Sequence, residues 1–381
     1  MRIGFDAKRA FLNRTGLGNY SRGVIEMLHR WASVNSVVLY TPKMSYEVLS
    51  SDYLKSDSLE VKTPPTLLSG PLSSVWRSNF VTNQIKKDGL DLYHGLGNEL
   101  PKGIENTGVP SVVTIHDLIF LHYPEYYKTI DRKIYESKVK HACDVSTRII
   151  ATSEQTAEDI VEFIGVNREK IRVVYQGCDK RFEERNSESY LAKIRLKYNL
   201  PNHFVLSVGT IEKRKNSKVL VEAINILDNK DIKLVLVGKK TNYCDDVLTT
   251  AKELGVEGQV VILDNINFED LPALYQLADV FVLPSLMEGF GIPVLEAMNS
   301  GVPVIVSKNS CLAEVCGNAG IQVDPTNPKV ISNAISSVLN DNNRRDEMIQ
   351  SGLERVVRFS DANIGKDIMQ VYRLAQAEYL K

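Results

Sequence analysis

The sequence predicts an α/β protein built from two doubly wound parallel-sheet domains in tandem. Three observations predict it. Short β-branched runs alternate with helix-like segments along the whole chain. The alternation restarts after a charged stretch at 179–188, DKRFEERNSE. At 381 residues the chain is long for one domain and comfortable for two. Strands that are apolar throughout suit parallel sheets covered on both faces. Such sheets bind ligands at the C-terminal ends of their strands, so two in tandem are expected to face each other across a cleft.

In order, residues 2–6 (RIGFD) read as a first strand and 18–31 as the helix after it. Runs at 37–40, 59–61, 91–93, 111–115, 148–151 and 171–174 read as further strands. Helical patterns lie between several of them, at 75–87, 131–143 and 154–164. A boundary is expected near 178–200. Beyond it, five strands are expected at 204–208, 233–237, 260–263, 280–283 and 304–306, with helices at 218–227, 246–254, 269–278 and 330–339. A final helix at 362–381 has no strand after it and could cap either domain.

Composition narrows the function. Hydrophobic content of 43% and charged content of 24% are ordinary for a globular protein, and a net charge of −1 gives no reason to expect a nucleic-acid partner. Five scattered cysteines form no C-x-x-C pair and read as reduced thiols of a cytosolic protein. The opening MRIGFDAKRA lacks the apolar core of a signal peptide, and no window approaches the roughly 20 apolar residues of a membrane span. An intracellular, cytoplasmic protein is expected.

The most informative stretch is 279–303, DVFVLPSLMEGFGIPVLEAMNSGVP. A short strand leads through a glycine loop to a helix, with Pro293 at its expected first position, where a missing amide costs nothing. Strand, glycine loop and helix start aim backbone amides and a helix dipole at an anion. Glu288 stands before the glycines and Glu296 about one turn into the helix. Carboxylates there would repel a phosphate, so each is expected to accept hydrogen bonds from sugar hydroxyls. The spacing suits a nucleotide-sugar, with diphosphate at the helix mouth.

Other candidates follow strand ends. GTIEKRKN places Glu212, Lys213, Arg214 and Lys215 after the strand at 204–208, where the cations could neutralise a diphosphate; a surface charge run is the alternative. In the first domain, the long connection AKRAFLNRTGLGNYSRG carries Gly16, Leu17 and Gly18, with Asn13, Arg14, Asn19 and Tyr20 making it a polar loop. Its glycines either present amides to an anion or merely allow a turn. His116 and Asp117 close the strand at 111–115; His116 could donate to a hydroxyl or shuttle a proton, and a structural histidine would look identical. His94 has a weaker case of the same kind. Residues 124–141 carry five cations among Tyr126, Tyr127 and Tyr135, which fits either an anionic membrane surface or a solvated face interrupted by Asp131 and Glu136.

Several patterns are missing. No D-x-D occurs to hold a metal with a sugar diphosphate, so no metal or other cofactor is expected. There is no P-loop, no G-x-S-x-G elbow and no dinucleotide fingerprint on the first strand.

EGFGIPVLEAMNSGVPVIVS resembles the signature of the retaining glycosyltransferases of family 4, two glutamates separated by seven residues, here Glu288 and Glu296. The resemblance extends to Gly16–Gly18, His116–Asp117, Ser153–Glu154, Gly177–Asp179 and Arg214–Lys215. It implies the GT-B fold, two Rossmann-like domains. Their limits would be 1–178 with 362–381 on the acceptor side and 179–361 on the donor side, the last helix crossing back to the first domain. It further implies that Glu288 contacts the donor hexose and Glu296 the ribose. The amides of Gly289, Phe290, Gly291 and Ile292 would lie on sugar and diphosphate. Arg214 and Lys215 would carry the diphosphate charge, Gly16 to Gly18 close the donor site, and His116 sits by the reacting hydroxyl. Many members place an arginine where this chain has Thr210, so Arg214 beside Lys215 is expected to substitute; YQGCD also replaces the commoner P-N-G-x-D form. The GT-x-x-x-RKN subgroup resembles bacterial surface-polysaccharide mannosyltransferases.

The resulting expectation is retaining transfer of a hexose, mannose or glucose, from a UDP-, GDP- or ADP-linked donor to a sugar or lipid-linked glycan, with possible peripheral membrane contact. A nucleotide-sugar 2-epimerase or hydrolase of the same fold, and a non-catalytic nucleotide-binding scaffold, are the rival readings.

Overall fold

A computed structural model describes residues 1–13, 15–31, 33–45, 56–66 and 70–379. The chain divides into two compact units, Met1–Gly177 with Asp361–Lys381, and Cys178–Ser360.

The first unit holds a parallel sheet of seven strands: β1 Arg2–Asp6, β2 Ser36–Tyr40, β3 Leu59–Lys62, β4 Leu92–Gly95, β5 Ser111–Ile115, β6 Arg148–Ala151 and β7 Ile171–Val173. Their order is β3-β2-β1-β4-β5-β6-β7, so the chain reverses direction across the sheet between β1 and β4. Alternation along each strand feeds two cores. Ile3, Phe5, Val37 and Leu39 pack under the helix Gly16–His29 and the last helix Asp361–Tyr379, through Ile364, Ile368 and Tyr372. Val38, Tyr40, Tyr93 and Val113 pack on the other face against Ile85, Val139, Ala142 and Ile160.

The second unit repeats the plan with β8 Phe204–Val208, β9 Lys233–Val237, β10 Val260–Leu263, β11 Val280–Leu283, β12 Val304–Ser307 and β13 Ile321–Val323, in the order β10-β9-β8-β11-β12-β13. Its reversal lies between β8 and β11. Val205, Leu234, Leu236, Val280 and Val282 bury one face against the helices Ser217–Ile226, Tyr243–Glu253 and Pro328–Leu339.

The structure departs from the sequence expectations in several places; the helix expected at 154–164, for one, divides into Glu154–Asp159 and a π-helical stretch Ile160–Ile164. The first βα connection is not a long polar loop: Lys8–Leu12 is a helix, and Gly16, Leu17 and Gly18 are the first residues of the next one. Arg14, expected to be a donor there, lies outside the described residues. The second sheet has six strands rather than five. Ile321–Val323 is a three-residue edge strand behind Gly320, too short to show a pattern. Asn342–Val356 is a further helix, capped where the Asp341 carboxylate accepts from the Arg344 amide at 3.0 Å; its apolar stripe, Met348, Ile349, Leu353 and Val356, is thin and only half-buried among polar residues. The segment expected as one helix at 75–87 divides into Ser73–Val75, a π-helical stretch Trp76–Phe80 and Val81–Ile85, a turn type the 3.6-residue period does not anticipate.

Candidate active site

In the second unit the reversal point gathers two loops, one after β8 and one after β11. Both β8 and its neighbour β9 end in glycines with positive φ, Gly209 at 146° and Gly238 at 153°. A Cβ at Gly238 would fall 1.9 Å from the Gly209 carbonyl oxygen, so the two strand ends run too close for any side chain there. Lys213–Lys215 then makes a single 3₁₀ turn, ended by Asn216 in the left-handed region at φ 59°. Asn216 Nδ2 donates to the Pro284 and Pro325 carbonyls, at 3.3 and 2.7 Å, and the Leu286 amide donates to the Arg214 carbonyl at 2.8 Å. These bonds sew the basic turn to the loops after β11 and β13.

The sewing brings three charges together. Glu288 Oε2 lies 2.8 Å from Arg214 Nη1, and Glu288 Oε1 lies 2.5 Å from Lys215 Nζ. Arg214 also pairs with Glu212 at 2.7 Å and donates to the Met287 carbonyl at 2.6 Å. The Glu288 side chain is only 11% exposed. Burial alone would raise its pKa, but Lys215 and Arg214 more than offset that and hold it at about 2. Burial would likewise favour neutral Arg214, yet Glu288 and Glu212 keep it firmly charged.

The glycines follow. Gly291, at φ 119°, precedes the helix Ile292–Asn299, and a Cβ on it would lie 2.5 Å from Leu312 Cδ2. Pro293 occupies the second helical position, one later than expected. The Phe290 ring is buried at 5.9 Å from Phe359. Glu296, buried in the helix, accepts a hydrogen bond from Tyr275 Oη at 2.7 Å. Burial raises its pKa to about 7; the Tyr275 bond and the Lys215 charge pull it down, and Asp179 adds to the rise. The two glutamates of one motif therefore stand in opposite states: Glu288 is ionised between cations, while Glu296 titrates near neutrality. Tyr275 is not signalled by the motif; only its place on the preceding helix, Leu271–Gln276, could have pointed to it.

The first-unit candidates lie at the C-terminal ends of β1, β4 and β5. Gly18 is required as glycine, because a Cβ there would sit 1.8 Å from the Asn13 carbonyl oxygen. Gly16 is exposed with nothing within 4 Å of its would-be Cβ, and Leu17 is half-buried between them. His116 is buried, and both its ring nitrogens are occupied. Nε2 donates to the Leu96 carbonyl at 2.8 Å, and Nδ1 accepts from Gln176 Nε2 at 3.2 Å. Burial lowers its pKa to about 4, with Arg9 acting in the same sense and the Leu96 bond against it. A neutral ring of fixed tautomer does not shuttle protons near pH 7, so the geometry gives His116 a holding role for the loop after β4. His94 is further from solvent still: Nδ1 meets Tyr372 Oη at 2.6 Å and Nε2 meets Thr114 Oγ1 at 2.8 Å, tying the last helix to the sheet.

Among the described residues, no group of three His, Cys, Asp or Glu side chains is placed to hold a metal ion, and no helix is long and apolar enough to cross a membrane.

Comparisons with known proteins agree with this layout. Residues 192–355 match the family model described as glycosyl transferases group 1, and residues 17–182 match the one described as Glycosyltransferase Family 4. O-antigen chain mannosyltransferase B of Escherichia coli is 29% identical, over 94% of this chain and 96% of its own. O-antigen chain mannosyltransferase RfbU of Salmonella typhimurium is 25% identical, over 85% and 87%. Among solved structures, Anabaena HepE in complex with UDP and glucose matches with a TM-score of 0.73 at 19% identity, over 97% of this chain and 98% of that one. A glycosyltransferase from Rickettsia africae matches with a TM-score of 0.75 at 17% identity, over 100% and 98%.

Proposed function

The chain belongs to the glycosyltransferases whose two family models it matches, and from that premise we propose that it moves a hexose, mannose first among candidates, from a nucleoside-diphosphate sugar to a hydroxyl of a surface-polysaccharide acceptor, with retention of configuration. The observation that carries this reading is Glu288 held between Arg214 and Lys215 beside the start of the helix Ile292–Asn299. Two cations and a helix N-terminus on one small surface suit a diphosphate.

The incoming diphosphate takes a share of both cations, and Glu288 turns to accept from the donor's sugar hydroxyls. As the glycosidic bond breaks, charge builds on the departing diphosphate, and Arg214 and Lys215 stabilise it in place of a metal ion. Glu296 accepts from the ribose hydroxyls. Gly16, Leu17 and Gly18 are further candidate donor contacts, and His116 holds the loop after β4. Mannose is favoured over glucose by the names of the two O-antigen relatives, and a nucleotide-linked donor is favoured by the UDP complex of HepE.

A panel of UDP-, GDP- and ADP-sugars in a thermal-shift assay tests the reading. A donor at 100 times its Kd stabilises by about 2.7 kcal/mol, and product analysis with and without a mannose-terminated acceptor separates transfer from epimerisation or hydrolysis. No stabilisation by any member would remove the proposal.

One further observation supports peripheral contact with the cytoplasmic face of a membrane. On the helix Thr129–Val145, Ile130 is 74% exposed and Ile134 is also exposed, with Lys133 one turn from Ile130 and Asp131 next to it. Apolar side chains flanked by cations suit an anionic lipid surface, which would also present a lipid-linked glycan. Sedimentation with vesicles showing no preference for anionic lipid would remove this part.

A further inference from the structure

The reversal point of the first sheet, between the C-terminal ends of β1 and β4, holds a cluster of charge that the reading above does not use. Asp6 closes β1, and Lys8 and Arg9 follow it at once. Arg77, almost wholly buried, pairs with Asp6 at 2.5 Å and with Glu99 at 2.7 Å, and Glu99 also pairs with Lys138 at 2.8 Å. Four cations thus face two carboxylates, and both carboxylates are already engaged by Arg77 and Lys138.

Lys8 and Arg9 are the surplus. Neither forms an ion pair with a carboxylate among the described residues, although both are partly buried. Arg9 runs beside the β4 loop, its Cγ 3.6 Å from where a Cβ on Gly97 would be, and its buried Nε has no hydrogen-bond partner. Its charge reaches His116. Lys8 is held below the usual lysine range by burial and by the Arg77 and Arg9 charges, with Glu99 and Asp6 only partly compensating. An uncompensated cation pair at a partly buried site is costly unless an anion completes it.

We propose that Lys8 and Arg9 form an anion subsite for the acceptor, which takes a phosphate or diphosphate ester carried on the sugar that receives the hexose. The position supports this on its own terms, because the crevice at a strand-order reversal is where doubly wound sheets bind ligands, and the second unit's reversal point is the proposed donor side. An acceptor phosphate would neutralise the surplus charge, while Arg77 stays committed to Asp6 and Glu99. The ester can come from a lipid-linked glycosyl diphosphate or from a free sugar phosphate. The inference rests on the transferase reading for the word acceptor, and on the charge cluster alone for the anion.

Inorganic pyrophosphate, titrated calorimetrically, tests the anion site without relying on turnover. Lys8→Gln/Arg9→Gln loses one stoichiometric equivalent of pyrophosphate relative to wild type, or weakens it at least tenfold, while Lys8→Arg/Arg9→Lys keeps it. Unchanged stoichiometry and affinity in the Gln variant overturn the proposal, as does loss in both variants, which marks a structural role. A kinetic arm names the source. KM for a short-chain prenyl-diphosphate-linked mannoside, and for mannose 1-phosphate, rises at least tenfold in the Gln variant, whereas KM for neutral octyl mannoside stays within twofold. A rise for the lipid compound alone assigns the lipid diphosphate, and a rise for both assigns the phosphate itself. Equal rises for all three acceptors contradict the subsite. Failure of the donor panel would strike the transferase reading and leave the pyrophosphate result standing.

Discussion

The Lys215 ammonium lies 2.5 Å from the Glu288 carboxylate, so the first glutamate of the motif is already bound to a cation expected to serve the donor. The same carboxylate meets Arg214 at 2.8 Å. Glu288 and Glu212 neutralise both cations, so on the proposed reading a diphosphate competes with Glu288 for them.

Glu288→Ala therefore has two consequences. Removing one member of a buried ion-paired group leaves Lys215 without its carboxylate and Arg214 with Glu212 alone, at a cost of about 3–5 kcal/mol. Yet the vacated cations bind a free nucleoside diphosphate at least as tightly as wild type, although transfer is lost. Denaturant unfolding and calorimetry with UDP and GDP check both. A variant as stable as wild type would contradict the ion-pair account, and one that transfers normally would contradict the role in catalysis.

Glu296 sets a pH dependence of stability. Its pKa rises from an ordinary carboxylate value to about 7 on folding, so between roughly pH 4.5 and 7 the native state binds the proton that the unfolded state has released. Its contribution is fully present below that window and is lost as pH rises through it, by an amount on the order of 3 kcal/mol. Glu296→Gln cannot ionise, so it should gain on wild type at pH 8.5 and match it at pH 5. Thermal melts at both pH values decide it, and an equal difference at the two would place the Glu296 pKa elsewhere.

Much of the architecture was legible because the strands are short, β-branched and separated by helical periods. The motif from Val280 through Asn299 was legible down to its loop, since glycines, proline and strand leave few alternatives. What stayed hidden has physical reasons. Asn342–Val356 carries only a thin apolar stripe, Met348, Ile349, Leu353 and Val356, half-buried among polar neighbours. Lys8 and Arg9 follow a strand end just as Arg214 and Lys215 do, but nothing local reveals that Arg77, some seventy residues on, occupies the neighbouring carboxylates. The partners of Glu288 were in view as residues and not as a pair, since contact between the loops after β8 and β11 depends on strand order.

The two glycines of the first connection should behave differently. Gly16→Ala meets nothing within 4 Å and replaces a flexible residue in a helix, so stability holds or rises by up to about 1 kcal/mol. Gly18→Ala puts a methyl 1.8 Å from the Asn13 carbonyl and should cost at least about 2 kcal/mol. Chemical denaturation of both variants checks the pair, and equal stabilities would show that the connection adjusts freely.

His116 should remain neutral throughout the working range. With its pKa lowered to about 4, folded His116 binds no proton where an unfolded histidine would, so its contribution to stability is present above about pH 6.5 and fades as pH falls towards 4. Ring-proton chemical shifts followed from pH 8 to 5 should show no midpoint for His116. A midpoint near 6.5 would reinstate it as a proton carrier.

The central claim is that the surface around Glu288, Arg214 and Lys215 transfers a hexose from a nucleoside-diphosphate sugar with its configuration kept. The most direct measurement is the anomeric configuration and yield of the product made from GDP-α-mannose and a mannose-terminated acceptor, read by proton NMR, for wild type and Glu288→Gln. The account predicts an α-linked product from wild type and a loss of at least a hundredfold in rate in the variant. A β-linked product, or undiminished transfer by Glu288→Gln, would contradict it.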